Sequence, residues 1–286
     1  MYRTSVATTA ESEEILAFLE RRGVLENAWL MSAVYNAFRW PEDCVAMIVC
    51  RSGDELVGVA YVMYQTKVPD EQRAPGFKPD HDYNVQMDAV DCPAMEALME
   101  ILPTHELGVS WASRPLIKKC FDGLAGVIRK PGDFYYTVSR TRFRPVAGEE
   151  VRELTAADAH LFEGCERQPQ WKAYDERHRI FAIVREGRAA TSVGVQPVTP
   201  PDTTPRVIAI SGLHTETAYR RQGLAKRLVS HVTEMILRDG DVPMYWTEPD
   251  NIASQRLAKG LGYRQYARQK QYRWRKPRDW AGLSGG

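Results

Sequence analysis

Val207-Ile208-Ala209-Ile210-Ser211-Gly212-Leu213-His214-Thr215, followed by Arg220-Arg221-Gln222-Gly223-Leu224-Ala225, is the stretch on which the fold turns. The first run has the length and β-branched content of a strand and stops at polar residues. After the turn, Leu224, Leu228, Val232, Met235 and Ile236 recur at three- and four-residue spacing, which predicts an amphipathic helix starting there. A strand therefore feeds a helix through a basic, glycine-containing loop. A helix N-terminus offers unpaired N–H groups and a partial positive charge, so such a loop is preformed for an anion such as a pyrophosphate. Gly223 lets the backbone come close to a ligand and Ala225 keeps the next turn low, while Arg220, Arg221, Lys226 and Arg227 add positive charge. Read alone, the same residues also describe an ordinary β–turn–α connection with a solvated basic edge.

Further along, Pro243-Met244-Tyr245-Trp246-Thr247 reads as a second strand, leading into Asn251-Ile252-Ala253-Ser254-Gln255-Arg256-Leu257-Ala258-Lys259-Gly260-Leu261-Gly262-Tyr263. The segment Gly212 to Ala225 resembles the acyl-CoA-binding motif of the GNAT superfamily of N-acetyltransferases, Q/R-x-x-G-x-G/A. The later segment is similar to that family's other signature: an Asn, a small residue three positions on, and a helix closing on Gly-Phe or Gly-Tyr. Two signatures in the right order and at the right separation carry far more than either one. The resemblance implies an α/β (α+β) fold, a mixed central sheet flanked by helices. It also implies acetyl transfer from acetyl-CoA to a primary amine of a small or amino-acid-like molecule by direct attack.

Composition is consistent with this. The 286 residues can bury one large core or two modest ones, and 44% hydrophobic with 26% charged residues is the balance of an ordinary globular protein. A net charge of +1 gives no global field for nucleic acid or an anionic membrane, so neither is an expected partner. Cys44, Cys50, Cys92, Cys120 and Cys165 form no CxxC pair, which points to reduced thiols rather than a disulfide framework, and no metal is expected. The N-terminus lacks a long apolar run and no segment is long enough to span a bilayer, so the expected compartment is the cytoplasm.

In chain order, residues 12–34 predict two short helices broken at Arg22-Gly23, and Val45–Arg51 with Leu56–Tyr64 a hairpin. Lys67–Asp82, with Pro69, Pro75 and Pro79, reads as a loop. Strands at Tyr83–Val90, Leu107–Trp111 and Phe134–Ser139 alternate with helices at Pro93–Leu102 and Pro115–Phe121, an α/β layer. Pro145–Glu150 reads as a linker. Beyond it come a short strand, a helix capped by Thr155 with Asp158 at its third position, and a hairpin of Phe181–Val184 with Ala189–Pro197. Two domains are expected: a degenerate GNAT-like half over 1–145 and an acyl-CoA-binding GNAT domain over 150–276. The alternative for the first is an unrelated α/β domain used for dimerisation, so a monomer or a homodimer is expected. The first half has no Arg-x-x-Gly-x-Gly/Ala loop, so it should not hold a pyrophosphate in the same way. Tyr266, Tyr272, Trp274 and Trp280 are read as packing of the last strand, and Leu283–Gly286 as a tail.

The resemblance also assigns roles. Backbone N–H groups of Arg221, Gln222, Gly223, Leu224, Ala225 and Lys226, after Arg220, would hold the pyrophosphate. Leu213 and Thr215 would pair with the pantetheine amides, with the Leu213 N–H as oxyanion donor. Asn251 would meet the pantetheine arm, and Ser254 a phosphate or the arm. Many family members carry a tyrosine as general acid where this chain has Ala258, so the usual proton donor is absent, which leaves a CoA-binding regulatory protein without turnover as the alternative. His214 and Glu248 are the candidate bases; each also reads blandly, as a packed histidine and a solvated loop charge. Pocket walls are expected from loops such as Lys67–Asp82 and Arg167–Tyr174.

Overall fold

The computed structural model describes residues 1–38, 44–64, 83–102, 106–112, 115–124, 126–148, 150–167 and 177–276. The expected loop at Lys67–Asp82, nearly all of that at Arg167–Tyr174, Trp280 and the expected tail lie outside them. The elements are β1 (Tyr2–Val6), α1 (Ser12–Arg22), α2 (Val24–Ala37), β2 (Cys44–Ser52), β3 (Glu55–Tyr64), β4 (Tyr83–Ala89), α3 (Cys92–Glu100), β5 (Glu106–Ala112), α4 (Pro115–Asp122), β6 (Ile128–Thr137), β7 (Arg152–Leu154), β8 (Arg179–Arg185), β9 (Arg188–Pro197), β10 (Val207–Thr215), α5 (Leu224–Arg238), β11 (Val242–Thr247), α6 (Ile252–Gly260) and β12 (Arg264–Arg275). No described helix is long and apolar enough to cross a membrane.

The chain forms two compact units, one of residues up to Gly132 and again from Arg268, the other Asp133–Ala267. In the first, the strands run β1-β2-β3-β4-β5-β12, and in the second β6-β11-β10-β9-β8-β7. Each unit is antiparallel except for one parallel pair, β4 with β5 in the first and β10 with β11 in the second. A parallel pair needs a crossover, and the intervening helices α3 and α5 supply it. The two halves thus repeat one strand–helix–strand plan.

The changeover between units differs from the linker expected at Pro145–Glu150. It falls inside β6, because Phe134–Thr137 pair antiparallel with Thr247–Met244 of β11. The chain that follows is tied down on the same unit: Arg144 N–H donates to Leu261 O, and Val146 N–H to Ser230 Oγ. The far half of β12 departs the other way, with Lys270–Arg275 paired to β5. Tyr272 and Trp274 are buried there against Phe121, at ring-centroid distances of 5.2 and 5.9 Å. Alternation named the buried face of this strand correctly, but the core it serves is that of the first unit. Period-two patterning fixes a face and says nothing about which sheet receives it.

Two further differences are local. The segment after Thr155 is a 3₁₀ helix, Ala156–Phe162, with the expected Thr155/Asp158 capping box. β1, which no pattern announced, is a mostly exposed edge strand against β2.

The first unit holds a buried ion pair. Arg22 Nε and Nη2 donate to the two carboxylate oxygens of fully buried Asp88 at 2.8 and 2.9 Å, and Asn27 Nδ2 adds a bond at 3.1 Å. Removing one charge leaves the other uncompensated, although Arg22, 21% exposed, can recover some hydration. Asp88→Asn is expected to lower unfolding free energy by about 2 kcal/mol in urea denaturation.

Candidate active site

The site grows from a fork in the second sheet. β10 and β11 are in parallel register from Val207 with Val242 to Ile210 with Tyr245, and the pairing ends there although both strands continue. On its other edge β10 loses register with β9 between Ser211 and His214, where Gly212 has φ +65°. A bulge of this kind bends and twists the strand that carries it. Leu213 and Thr215, both half-buried, lie past the fork.

A short 3₁₀ turn, Thr217–Tyr219, carries the chain on to the basic loop. Arg221 has φ +63°, and Gly223, at φ +80°, is the N-cap of α5, whose first turn receives no side-chain cap. The first main-chain bond of the helix runs from Arg227 N–H to Gly223 O, so the N–H groups of Leu224, Ala225 and Lys226 have no intrahelical acceptor. A Cβ on Gly223 would meet nothing within 4 Å. The loop is braced from behind: Arg220 donates to Thr215 O at 3.0 Å and to Glu166 at 3.2 Å, and Gln222 Nε2 to Ala218 O. Those two side chains are therefore engaged in holding the loop, while Gly223 and its neighbours present backbone.

The corresponding helix of the first unit is closed. Asp91 caps α3 by accepting from Ala94 N–H at 2.8 Å and from Tyr2 Oη at 2.7 Å, and Pro93 in the first turn has no N–H to offer. A carboxylate already occupies the place an anion would take, a physical reason for the expected inability of this half to hold a pyrophosphate.

At α6, Asn251 Oδ1 accepts from Ser254 N–H, and Ser254 Oγ lies 2.6 Å from Tyr245 Oη. Asn251 is thus the cap of its own helix, and Ser254 links that helix to the strand beneath. Ala258 is fully buried.

Of the candidate bases, His214 has Nε2 at 3.3 Å from Glu216 and 3.5 Å from Glu166. Both carboxylates are also engaged by the main chain, Glu216 by Glu166 N–H and Glu166 by Thr217 N–H. Hydrogen bonds from Thr217, together with the Arg220 charge, hold the Glu166 carboxyl below its usual range. The three side chains have the donor types of a metal site, within 4.8 Å of one another; the two glutamates fasten the loop, while His214 Nε2 is buried and makes no hydrogen bond. Glu248 is exposed after β11.

Two groups that sequence reading passed over sit close to the fork. Asp133, half-buried at the start of the paired part of β6, has its carboxyl pushed up by burial and then by the charge of Glu248. His178 lies over Gly194, where a Cβ would come 2.6 Å from its Nε2. Gly194 pairs with Ser211, the residue just before the bulge. Burial pushes the His178 imidazole down, which keeps it neutral near pH 7. The available signal was Gly194 itself, a glycine inside a strand, which marks close approach of another group. Tyr136, Val193, Ile210 and Tyr245 pack with α5 and α6. By alternation Gly194 and Ser211 face the other side, as do Tyr135 and Trp246, stacked at 6.5 Å.

Residues 148–263 match the model of the Acetyltransferase (GNAT) family. No curated protein matches the sequence. Among solved structures, a Drosophila protein from a structural genomics consortium is 13% identical, with 94% of this chain and 97% of its own covered at a TM-score of 0.61. A GNAT-family acetyltransferase from Colwellia psychrerythraea is 14% identical, with coverage of 95% and 99% and a TM-score of 0.58. A tandem GNAT protein from the clavulanic acid biosynthesis pathway is 13% identical over the whole of both chains, with a TM-score of 0.54. Residues 148–263 are thus similar to the acetyltransferase (GNAT) family, and the chain as a whole has the fold of tandem GNAT proteins.

Proposed function

We propose that the protein is an N-acyltransferase that moves the acetyl group of acetyl-CoA onto a primary amine of a small, amino-acid-like molecule, and that its first unit is a degenerate GNAT-like half. The observation that carries this reading is the parting of β10 from β11 directly ahead of an uncapped helix N-terminus. Main-chain N–H groups from Arg221 to Lys226 take the pyrophosphate, with Arg220 bracing the loop. Leu213 and Thr215 receive the pantetheine amides along the strand edge freed by the fork, and Leu213 N–H faces the thioester oxygen, where negative charge develops during attack. Asn251 and Ser254 border the arm from α6. The amine approaches on the face that bears His178, with Asp133 and Glu248 providing negative charge for its ammonium form.

His178 is the base in this arrangement, because it is neutral and lies beside the bulge, whereas His214 is held between two carboxylates. Protonation disables a base, so kcat/KM should fall as pH drops through a value below the ordinary histidine pKa of about 6.5. His178→Gln is expected to cost roughly a hundredfold in kcat/KM and to remove that acid limb. An unchanged limb in the variant would transfer the role to Asp133, Glu248 or His214.

Calorimetric titration with acetyl-CoA tests the reading as a whole: absence of binding ends it. A second reading, a CoA-binding regulatory protein without turnover, is favoured by one observation, the buried alanine at 258. Free-thiol release from acetyl-CoA with a panel of amines separates the two, since steady turnover with any amine rules out the second.

A further inference from the structure

The helical side of the fork carries three hydroxyl groups that the sequence signatures do not predict. Tyr245 is the last residue of the parallel ladder between β10 and β11, so its side chain stands where the strands begin to part. Its Oη is 2.6 Å from Ser254 Oγ, in the first turn of α6. Directly across from Tyr245 in the antiparallel pairing with β6 is Tyr136. Directly opposed residues of two strands lie on the same face with Cβ atoms about 5 Å apart. Tyr136 is fully buried, and its hydroxyl has no hydrogen-bond partner. A buried hydroxyl left without a partner is destabilising, because its lost hydration is not replaced. The balance is restored when a ligand atom or a water comes within reach.

Position 258 on α6 is occupied by a fully buried alanine. Its side chain has no proton to give. Tyr245, on the strand below, belongs to the same packed cluster as Ala258, Leu261 and Tyr263. Burial raises the Tyr245 phenol above its ordinary range, more than the Ser254 hydrogen bond lowers it. It therefore stays protonated through the neutral range, the form a proton donor must have.

We infer that Tyr245, linked to Ser254 and flanked by Tyr136, is the acid that protonates the departing CoA sulfur. This rests on the acyltransfer reading above. The amine nitrogen bonds to the thioester carbonyl carbon and gives up its proton to the base. As the tetrahedral centre collapses, the C–S bond breaks, its electron pair goes to sulfur, and the sulfur takes the Tyr245 proton. Ser254 passes a proton to the tyrosinate and recovers one from solvent. The products are the amide and CoA thiol, with no oxidant or further reactant required. Tyr136 gives the sulfur, or the tyrosinate, a second hydrogen bond.

The test needs no knowledge of the acceptor amine. A phenol that donates to sulfur stabilises the thiolate, so it lowers the pKa of bound CoA thiol, which ultraviolet absorbance of the thiolate reads directly. Titration of the CoA complex of the full chain is compared between the parent and Tyr245→Phe, with Ser254→Ala as a second variant and calorimetry giving Kd for each. The expected result is a bound thiol that ionises roughly one to two pH units higher in Tyr245→Phe than in the parent, at a Kd for CoA within about threefold of the parent's, with a smaller rise in Ser254→Ala, whose Kd is also expected to rise because Ser254 borders the arm. Tyr245→Phe keeps the ring and its packing, and an unchanged thermal melt verifies that. A bound thiol that titrates identically in the parent and Tyr245→Phe overturns the assignment while leaving the acyltransferase reading in place. Failure of the parent to bind CoA overturns that reading, and this inference with it.

Discussion

Gly223→Trp is expected to abolish acetyl-CoA binding in calorimetry, with Kd raised by more than about a hundredfold, while the protein stays folded. The reason lies in the two different jobs a glycine does at this position. Its φ of +80° is left-handed, so any L-residue there is strained, at roughly 1–2 kcal/mol. That cost falls on stability and is modest. The space a side chain would enter is open, since a Cβ meets no atom within 4 Å, so nothing in the folded chain is displaced. If the opening served only solvent, the substitution would cost strain alone and leave ligand affinity untouched. If it is the berth of a pyrophosphate, an indole there lifts the phosphates off the N–H groups of Leu224, Ala225 and Lys226. Each hydrogen bond to a charged group is worth about 1.5–3 kcal/mol, and two of them correspond to at least a hundredfold in Kd. Gly223→Ala should lie between the parent and Gly223→Trp. Equal affinity across the series would remove the loop from the binding site.

How much of this was legible in the sequence depends on the range of the interaction involved. The segment from β10 to α6 could be read because its signals are local: β-branched residues for the strands and three- and four-residue spacing for α5. Each fixes a conformation within a few residues. The fork between β10 and β11 leaves no mark on periodicity, and only the structure shows it, as an interrupted ladder with a bulge on the opposite edge. What escaped reading depends on partners far away in the chain. The pairing of β6 with β11 and of β12 with β5 moves the unit boundaries to places where composition does not change. Asp133 and His178 are ordinary residues in sequence, and their chemistry comes from burial that only the assembled sheet provides. Asn251 and Ser254 were named as ligand contacts by resemblance, and the structure adds their roles as a helix cap and as the partner of Tyr245.

The glycine that closes the second signature invites the converse experiment. Gly262 has φ +91°, and a Cβ there would fall well inside contact distance of the Arg142 carbonyl oxygen, 3.0 Å from its carbonyl carbon and 3.5 Å from Phe143 Cα. These are main-chain atoms, which cannot swing aside as a lysine tip can. They are also anchored, because Arg144 N–H donates to Leu261 O and both Arg142 and Phe143 N–H donate to Ser139 O. On the other side, buried Leu261 and Tyr263 fix the glycine, and Tyr263 Oη is 2.7 Å from Thr233 Oγ1 of α5. With neither side free to retreat, Gly262→Ala combines left-handed strain with overpacking, at roughly 2–5 kcal/mol together. The expected observation is a urea midpoint far below that of the parent, accompanied by poor soluble yield. The fraction that remains folded should still bind acetyl-CoA with a Kd within a few-fold of the parent, since Gly262 follows the C-terminal end of α6 whereas the proposed ligand contacts of that helix are at its start. A Gly262→Ala protein of undiminished stability would mean that the Arg142 chain does not lie on this glycine. A stable variant with lost affinity would place Gly262 in the site instead of in its support.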